Sequence, residues 1–203
     1  GSLEARIKCE LLESRLRDRA LTGALDAQRQ AGILRLNRLV LKGPGFEVRA
    51  AGALEERLTW GVQISDLSAL MPGSGGRVSA SGWAHQDKER LAGAMTLRGN
   101  ELLVSGVSVA TIEVDAAMGK GDPQNLEGRA FLKGFACGPV QISTIHVKIT
   151  GQLGDHTTQA LLDSREGKAE AVLRGSYAKS VWNGTLETLR GSDTLGSWGL
   201  EGP

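Results

Sequence analysis

Apolar and polar residues alternate along most of this chain. Leu3, Ala5, Ile7, Cys9 and Leu11 occupy every second position, with charged residues between them. This is the period-two signature of a strand with one face buried. Ile7, Leu11 and Leu12 also meet helical spacing, so a helix within residues 3–21 is a second reading; the strand is the one taken here. Leu58, Trp60, Val62 and Ile64 fall on one face, with Thr59, Gly61 and Gln63 on the other. Ile145, Val147 and Ile149 alternate with His146, Lys148 and Thr150. Ala169, Ala171 and Leu173 alternate with Glu170, Val172 and Arg174, where Val172 is the apolar residue out of phase.

Turn signals separate these runs: Lys42-Gly43-Pro44-Gly45, Pro72-Gly73-Ser74-Gly75-Gly76, Arg98-Gly99-Asn100, Lys120-Gly121-Asp122-Pro123 and Ser164-Arg165-Glu166-Gly167. Their spacing predicts strands of about 6–10 residues. Beyond residue 25 no segment has a convincing helical period, apart from one short turn over Leu67 to Met71 before Pro72. The fold class expected is all-β.

A second pattern recurs, in which an apolar residue is followed by others at +2, +5 and +7. It reads Leu34, Leu36, Leu39, Leu41; Val107, Val109, Ile112, Val114; and Val140, Ile142, Ile145, Val147, with a weaker copy at Val62, Ile64, Leu67, Ala69. The step of three reverses the facing of an unbroken strand, and one extra residue in a bulge or corner restores it while bending the strand. The copies start at irregular intervals, which disfavours a fixed-period solenoid. They predict an elongated, curved sheet of loosely repeating strands.

Composition narrows the class further. Twenty-eight glycines and only eight aromatic residues accompany a hydrophobic content of 40%, which suits a repetitive sheet better than an aromatic-packed enzyme core and is too apolar for a disordered chain. Gly1 and Ser2 read as a tag remnant, so the natural sequence is expected to begin near Leu3. Residues 3–203 are expected to form one elongated β segment of a longer protein. The net charge of +1, with no basic cluster, argues against a nucleic-acid partner. No apolar run reaches the roughly 18–20 residues that span a bilayer. Cys9, in phase with Ile7 and Leu11, is expected to be a small buried apolar residue. A pairing of Cys9 with Cys137 stays open.

Candidate chemistry is sparse. His85, His146 and His156 have no His-x-x-x-His or Cys-x-x-Cys spacing, and solvated histidines are the expectation. No nucleophile elbow, Walker loop or dinucleotide fingerprint occurs. Gly73-Ser74-Gly75-Gly76 lacks the lysine and helix of a phosphate cradle. An enzyme, a metal site and a cofactor are therefore not expected. Trp60 shares a face with aliphatic residues, whereas Trp83, Trp182 and Trp198 each lie near a glycine; core packing is the default for all four.

Four phrases carry a family resemblance. They are the stretch from Asp66 through Leu67, Leu70, Met71-Pro72-Gly73 to Gly82; Gly151-Gln152-Leu153-Gly154-Asp155-His156; Trp182-Asn183-Gly184-Thr185-Leu186-Glu187-Thr188-Leu189; and Gly196-Ser197-Trp198-Gly199-Leu200-Glu201-Gly202-Pro203. In this order, over roughly residues 32–203, they resemble the TamB family, the periplasm-spanning subunit of the translocation and assembly module within the AsmA-like group. Neither that family's membrane anchor nor its C-terminal domain is evident. The resemblance implies a sheet folded lengthwise into a trough with a hydrophobic interior, the β-taco. It also implies a periplasmic location, a parent anchored in the inner membrane of a diderm bacterium, phospholipid movement between the two membranes, and a TamA-like outer-membrane barrel as partner.

The residues themselves are compatible with a lipid trough. Exposing an acyl chain of ~15 methylenes to water costs on the order of 12 kcal/mol, at about 0.8 kcal/mol per CH₂, and an apolar groove removes most of that while the headgroup stays wet. The lining expected for phospholipid acyl chains is Leu58, Trp60, Val62, Ile64, Val107, Val109, Ile112, Val114, Val140, Ile142, Ile145, Val147 and Ile149. The alternative is a structural or assembly scaffold for outer-membrane proteins, working with the barrel and holding these residues in a closed core.

Overall fold

The computed structural model describes residues 4–16, 19–88, 90–119, 121 and 123–201. Gly1 and Ser2, expected to be a tag remnant, the first expected apolar position Leu3, and Lys120 and Asp122 of one turn lie outside them. Fourteen strands follow one another as β1 (Ala5–Leu16), β2 (Arg19–Gln30), β3 (Ile33–Gly43), β4 (Phe46–Ala53), β5 (Arg57–Ile64), β6 (Gly75–Asp87), β7 (Arg90–Val104), β8 (Val107–Met118), β9 (Asn125–Cys137), β10 (Val140–Gln152), β11 (Asp155–Asp163), β12 (Gly167–Ala178), β13 (Val181–Asp193) and β14 (Gly196–Glu201). Each pairs antiparallel with its sequence neighbours in a single sheet ordered β1 to β14. The sheet is curved and trough-like, and it is not closed into a barrel. The strand reading of the N-terminal alternation thus holds, and many strands are longer than the 6–10 residues expected, up to fifteen in β7. A hairpin ladder continues until a turn signal ends it, and the +3 bulges lengthen strands without stopping them.

The bulges lie where the +3 steps place them. In β3 the register shifts between Leu36 and Leu39 on both sides of the strand. The extra residue, Asn37, donates from Nδ2 to Asp26 Oδ1 at 3.1 Å. Along β7 to β10, pairing skips Glu101, Ala110, Gly134 and Ser143, which lie in line across four strands. Glu101 and Gly134 there take left-handed φ values of 55° and 64°. The Leu102 side chain comes to 3.0 Å from where a Gly99 Cβ would stand. Leu102 therefore returns to the face of Gly99, and its register partners Val109, Phe135 and Ile142 return with it. The weaker copy behaves differently: β5 ends at Ile64, and Leu67–Ala69 form a 3₁₀ turn capped by Asp66, which accepts from the Ser68 backbone N–H at 2.9 Å. The short turn expected before Pro72 is this one. Leu67 and Ala69 do not continue the strand face.

Among the described residues, no second layer covers the sheet. The chain exposes 13380 Å², against about 9,100 Å² for a compact monomer of its mass. Among the described residues, the buried apolar side chains are Ala53 and Ala92, at 1% and 2% exposure. Cys9 and Cys137 are both free and exposed. Cys9 is therefore not the buried residue expected, because its apolar row has nothing stacked on it. With eight interstrand spacings of about 4.8 Å between β1 and β9, the two thiols are far beyond the reach of a disulfide.

Candidate functional site

Directly paired residues of an antiparallel sheet point to the same side, so the register traces each face across the strands. One row runs Leu11, Gly23, Leu41, Val48, Val62, Ala80, Leu97, Val114, Ala130, Val147, Ala160, Ala171, Leu189, Leu200, one residue from each of the fourteen strands and none of them polar. At about 4.8 Å per strand this row is about 60 Å long. On one side of it lies Phe46, Ile64, Val78, Gly99, Ile112, Leu132, Ile145, Leu162, Ala169, Gly191, Trp198. On the other lies Cys9, Leu25, Leu39, Ala50, Trp60, Gly82, Met95, Ala116, Gly128, Ile149, Thr158, Leu173, Leu186. Beyond that comes Ile7, Ala27, Leu36, Gly52, Leu58, Ala84, Gly93, Met118, Leu126, Gly151, His156, Gly175, Gly184. Alternate residues of a strand are about 6.8 Å apart, so four rows form an apolar band about 20 Å wide.

The expected lining residues fall on this face. Leu58, Trp60, Val62, Ile64, Ile112, Val114, Ile145, Val147 and Ile149 stand in the four rows. Val109 and Ile142 stand beyond the bulge line, and Val107 and Val140 come at the strand starts that share Cys137 as partner. Twelve of the thirteen are half-buried, and Val140 is 51% exposed. The pattern misses more contributors than it finds, among them Val48, Leu97, Ala130, Leu132 and Leu189. Their signal is the same alternation, diluted by small residues.

Several glycines in the band are covered by large neighbours. A Cβ on Gly82 would stand 2.9 Å from the Trp60 ring, one on Gly191 2.3 Å from Trp198, and one on Gly43 2.3 Å from Phe46. Each ring lies over the cross-strand glycine and fills the gap left by the missing side chain. Trp83 departs from the core-packing expectation: it is on the opposite face, with the Arg57 guanidinium 4.4 Å above its ring. His156 also departs from expectation. It is 6% exposed, because its position on β11 pairs with Gly151 and Gly175 and its ring settles over glycine under Trp182. Trp182 Nε1 donates to His156 Nε2 at 3.1 Å. The buried Nδ1 has no partner among the described residues, and such an orphan costs about 1–3 kcal/mol.

The opposite face is charged, with signs matched across strands. Arg98 donates to both carboxylate oxygens of Asp115, at 3.0 and 3.1 Å, and Arg129 donates to the same carboxylate at 3.2 Å. Partial burial opposes ionisation of Asp115, but these hydrogen bonds outweigh it and hold its pKa below the ordinary aspartate value. Arg6 grips Asp26 at 3.1 and 2.7 Å. That hydrogen bonding, with help from Asn37, lowers the Asp26 pKa to about 2. Concavities of about 980 Å³ around Arg129 and Phe131 and about 600 Å³ around Lys168 and Arg190 lie on this charged face. A twisted sheet is saddle-shaped and so concave along one diagonal of each face. The linings carry both signs of charge, and the described residues hold no cluster of three His, Cys, Asp or Glu fit for a metal ion. Among them, no helix is long and apolar enough to cross a membrane.

The arrangement is a long apolar band, uncovered among the described residues, backed by a charged face. No significant match was found among curated proteins or among solved structures. The family profile described as the TamB N-terminal domain matches residues 3–203. The chain belongs to the TamB family, proteins of the bacterial envelope.

Proposed function

We propose that this chain is a non-catalytic stretch of a lipid conduit in the periplasm, whose apolar band shields phospholipid acyl chains between the inner and outer membranes. The observation that carries the reading is the fourteen-residue apolar row, unbroken from β1 to β14 and left without a covering layer. The side chains along it are mostly aliphatic, so they give apolar contact without directional bonds that would hold a lipid at one place. The charged face keeps the sheet wettable from outside, and the headgroup stays in water along the open side. In the parent protein the conduit delivers to a TamA-like outer-membrane barrel, with its other end at the inner membrane. The competing reading, an assembly scaffold with a closed core, fits less well, because a closed core of this length would bury far more than Ala53 and Ala92 among the described apolar residues.

Site-specific photo-crosslinking tests the proposal. A photoreactive side chain at Val109 or Val147 is expected to capture lipid, and one at Lys148, on the charged face, is not. Labelling from Lys148 alone, or from none of the three, overturns it.

A further inference from the structure

The apolar band is interrupted on one strand. In the four rows the residues are hydrophobic or glycine except Thr158 and His156, and both sit on β11. His156 lies 94% buried within a glycine-floored notch. Ideal Cβ atoms on Gly175 would stand 2.7 Å from its Nε2 and 2.9 Å from the Trp182 ring, and one on Gly184 would meet that ring at 2.0 Å. An indole N–H can only donate, so Nε2, 3.1 Å away, is the acceptor. The proton of the neutral imidazole then resides on Nδ1. That Nδ1–H is buried and has no acceptor among the described residues. The adjacent Asp155 cannot serve it: Asp155 points to the other face, where Arg174 holds both its carboxylate oxygens at 2.8 and 2.7 Å.

We propose that this notch binds the ester carbonyl of an acyl lipid, registering the head end of the hydrocarbon chain at β11. The inference rests on the lipid reading above. Charge selects the acceptor: the four rows contain no Lys or Arg, so a phosphate or carboxylate brought there would be unbalanced, whereas a neutral carbonyl needs only a donor. The Nδ1–H is such a donor. The Thr158 hydroxyl, two residues along the same strand and about 7 Å away, offers a second on the same face. Trp182, 51% exposed, flanks the notch, and its hydrogen bond to Nε2 keeps the proton on Nδ1, where the carbonyl is bound.

The test uses vesicles of equal parts dipalmitoyl phosphatidylcholine and its ether-linked dihexadecyl analogue, which differ only at the carbonyls. Lipid extracted from the re-isolated chain and weighed by mass spectrometry is expected to be enriched about tenfold in the ester form. The His156→Phe variant is expected to retain lipid with the ratio fallen to about one. Equal recovery of both lipids by the unaltered chain overturns the ester assignment and leaves the lipid reading intact, while recovery of neither sinks both. Should His156→Phe not fold, the ¹⁵N shift of His156 Nδ1 in the unaltered chain decides: movement with the ester lipid and none with the ether lipid supports the notch, and the same response to both removes it.

Discussion

The stretches β8–β9 and β11–β13 present the same alternation to the same face, yet they use glycine in different ways. Across β8 to β10, Gly128 sits in the band between Ala116 and Ile149, and a Cβ placed on it meets nothing nearer than 3.8 Å. Around β11 to β13, Gly151, Gly175 and Gly184 lie in one row, and two of them are roofed by the rings of His156 and Trp182. In the first region glycine is spare room on a smooth aliphatic wall. In the second it is a floor without which two rings would have no place. A residue type that is uniform in composition is therefore dispensable in one place and required in the other, and what sits above it decides which.

Three measurements bear on this contrast. The largest effect is expected from Ile112→Asp on the smooth wall. A carboxylate there breaks the continuity of the band, so lipid recovered with the chain should fall at least tenfold. Ile112 is only half-buried, so its charge stays hydrated and folding should weaken by only about 1–2 kcal/mol. If denaturant melts show the variant unfolded, the closed-core reading gains and the contrast between regions collapses. Next comes a paired glycine substitution. Gly175→Ala forces the His156 and Trp182 rings off the floor and should cost about 1–3 kcal/mol. Gly128→Ala should be neutral or stabilising by about 0.4–1 kcal/mol, through loss of unfolded-chain freedom. Equal melting midpoints for the two would show that the rings are not seated as described.

The smallest effect lies on the charged face near the N-terminal edge. Asp26 titrates lower in the folded chain, at about 2, than the ordinary 3.8. Its ion pair with Arg6 therefore contributes in full above about pH 4 and is lost as the pH falls toward 2. Hydrogen exchange of the β1 amides should quicken over that window. Asp26→Asn should remove the pH step while leaving the rest of the sheet unchanged; a step that persists in the variant assigns it to another group.

Much of this was legible from the chain alone. The alternation identified β1, β5 and β10 as strands, although β1 is exposed along most of its length, and the +3 steps marked the breaks at Asn37, Ala110 and Ser143. Both are local properties, because side-chain facing along a strand follows from a period of two and one inserted residue resets it. The copy at Val62, Ile64, Leu67 and Ala69 misled because Asp66 caps a turn there, and a capping hydrogen bond leaves no trace in apolar spacing.

What the sequence determined by itself is the two-faced character of each strand, the antiparallel meander that short turns impose, and with them an apolar side. Register was left to the tertiary structure, because pairing depends on how each hairpin closes and on where each bulge falls. Only register lines up Leu11 through Leu200 into one row, carries Trp83 to the charged face, and brings Trp182 across from β13 to His156, twenty-six residues away. It also decided that no described residue covers the band. Alternation says that one face avoids water, but whether a second layer, a closed barrel or an open trough answers that demand depends on curvature summed over fourteen strands.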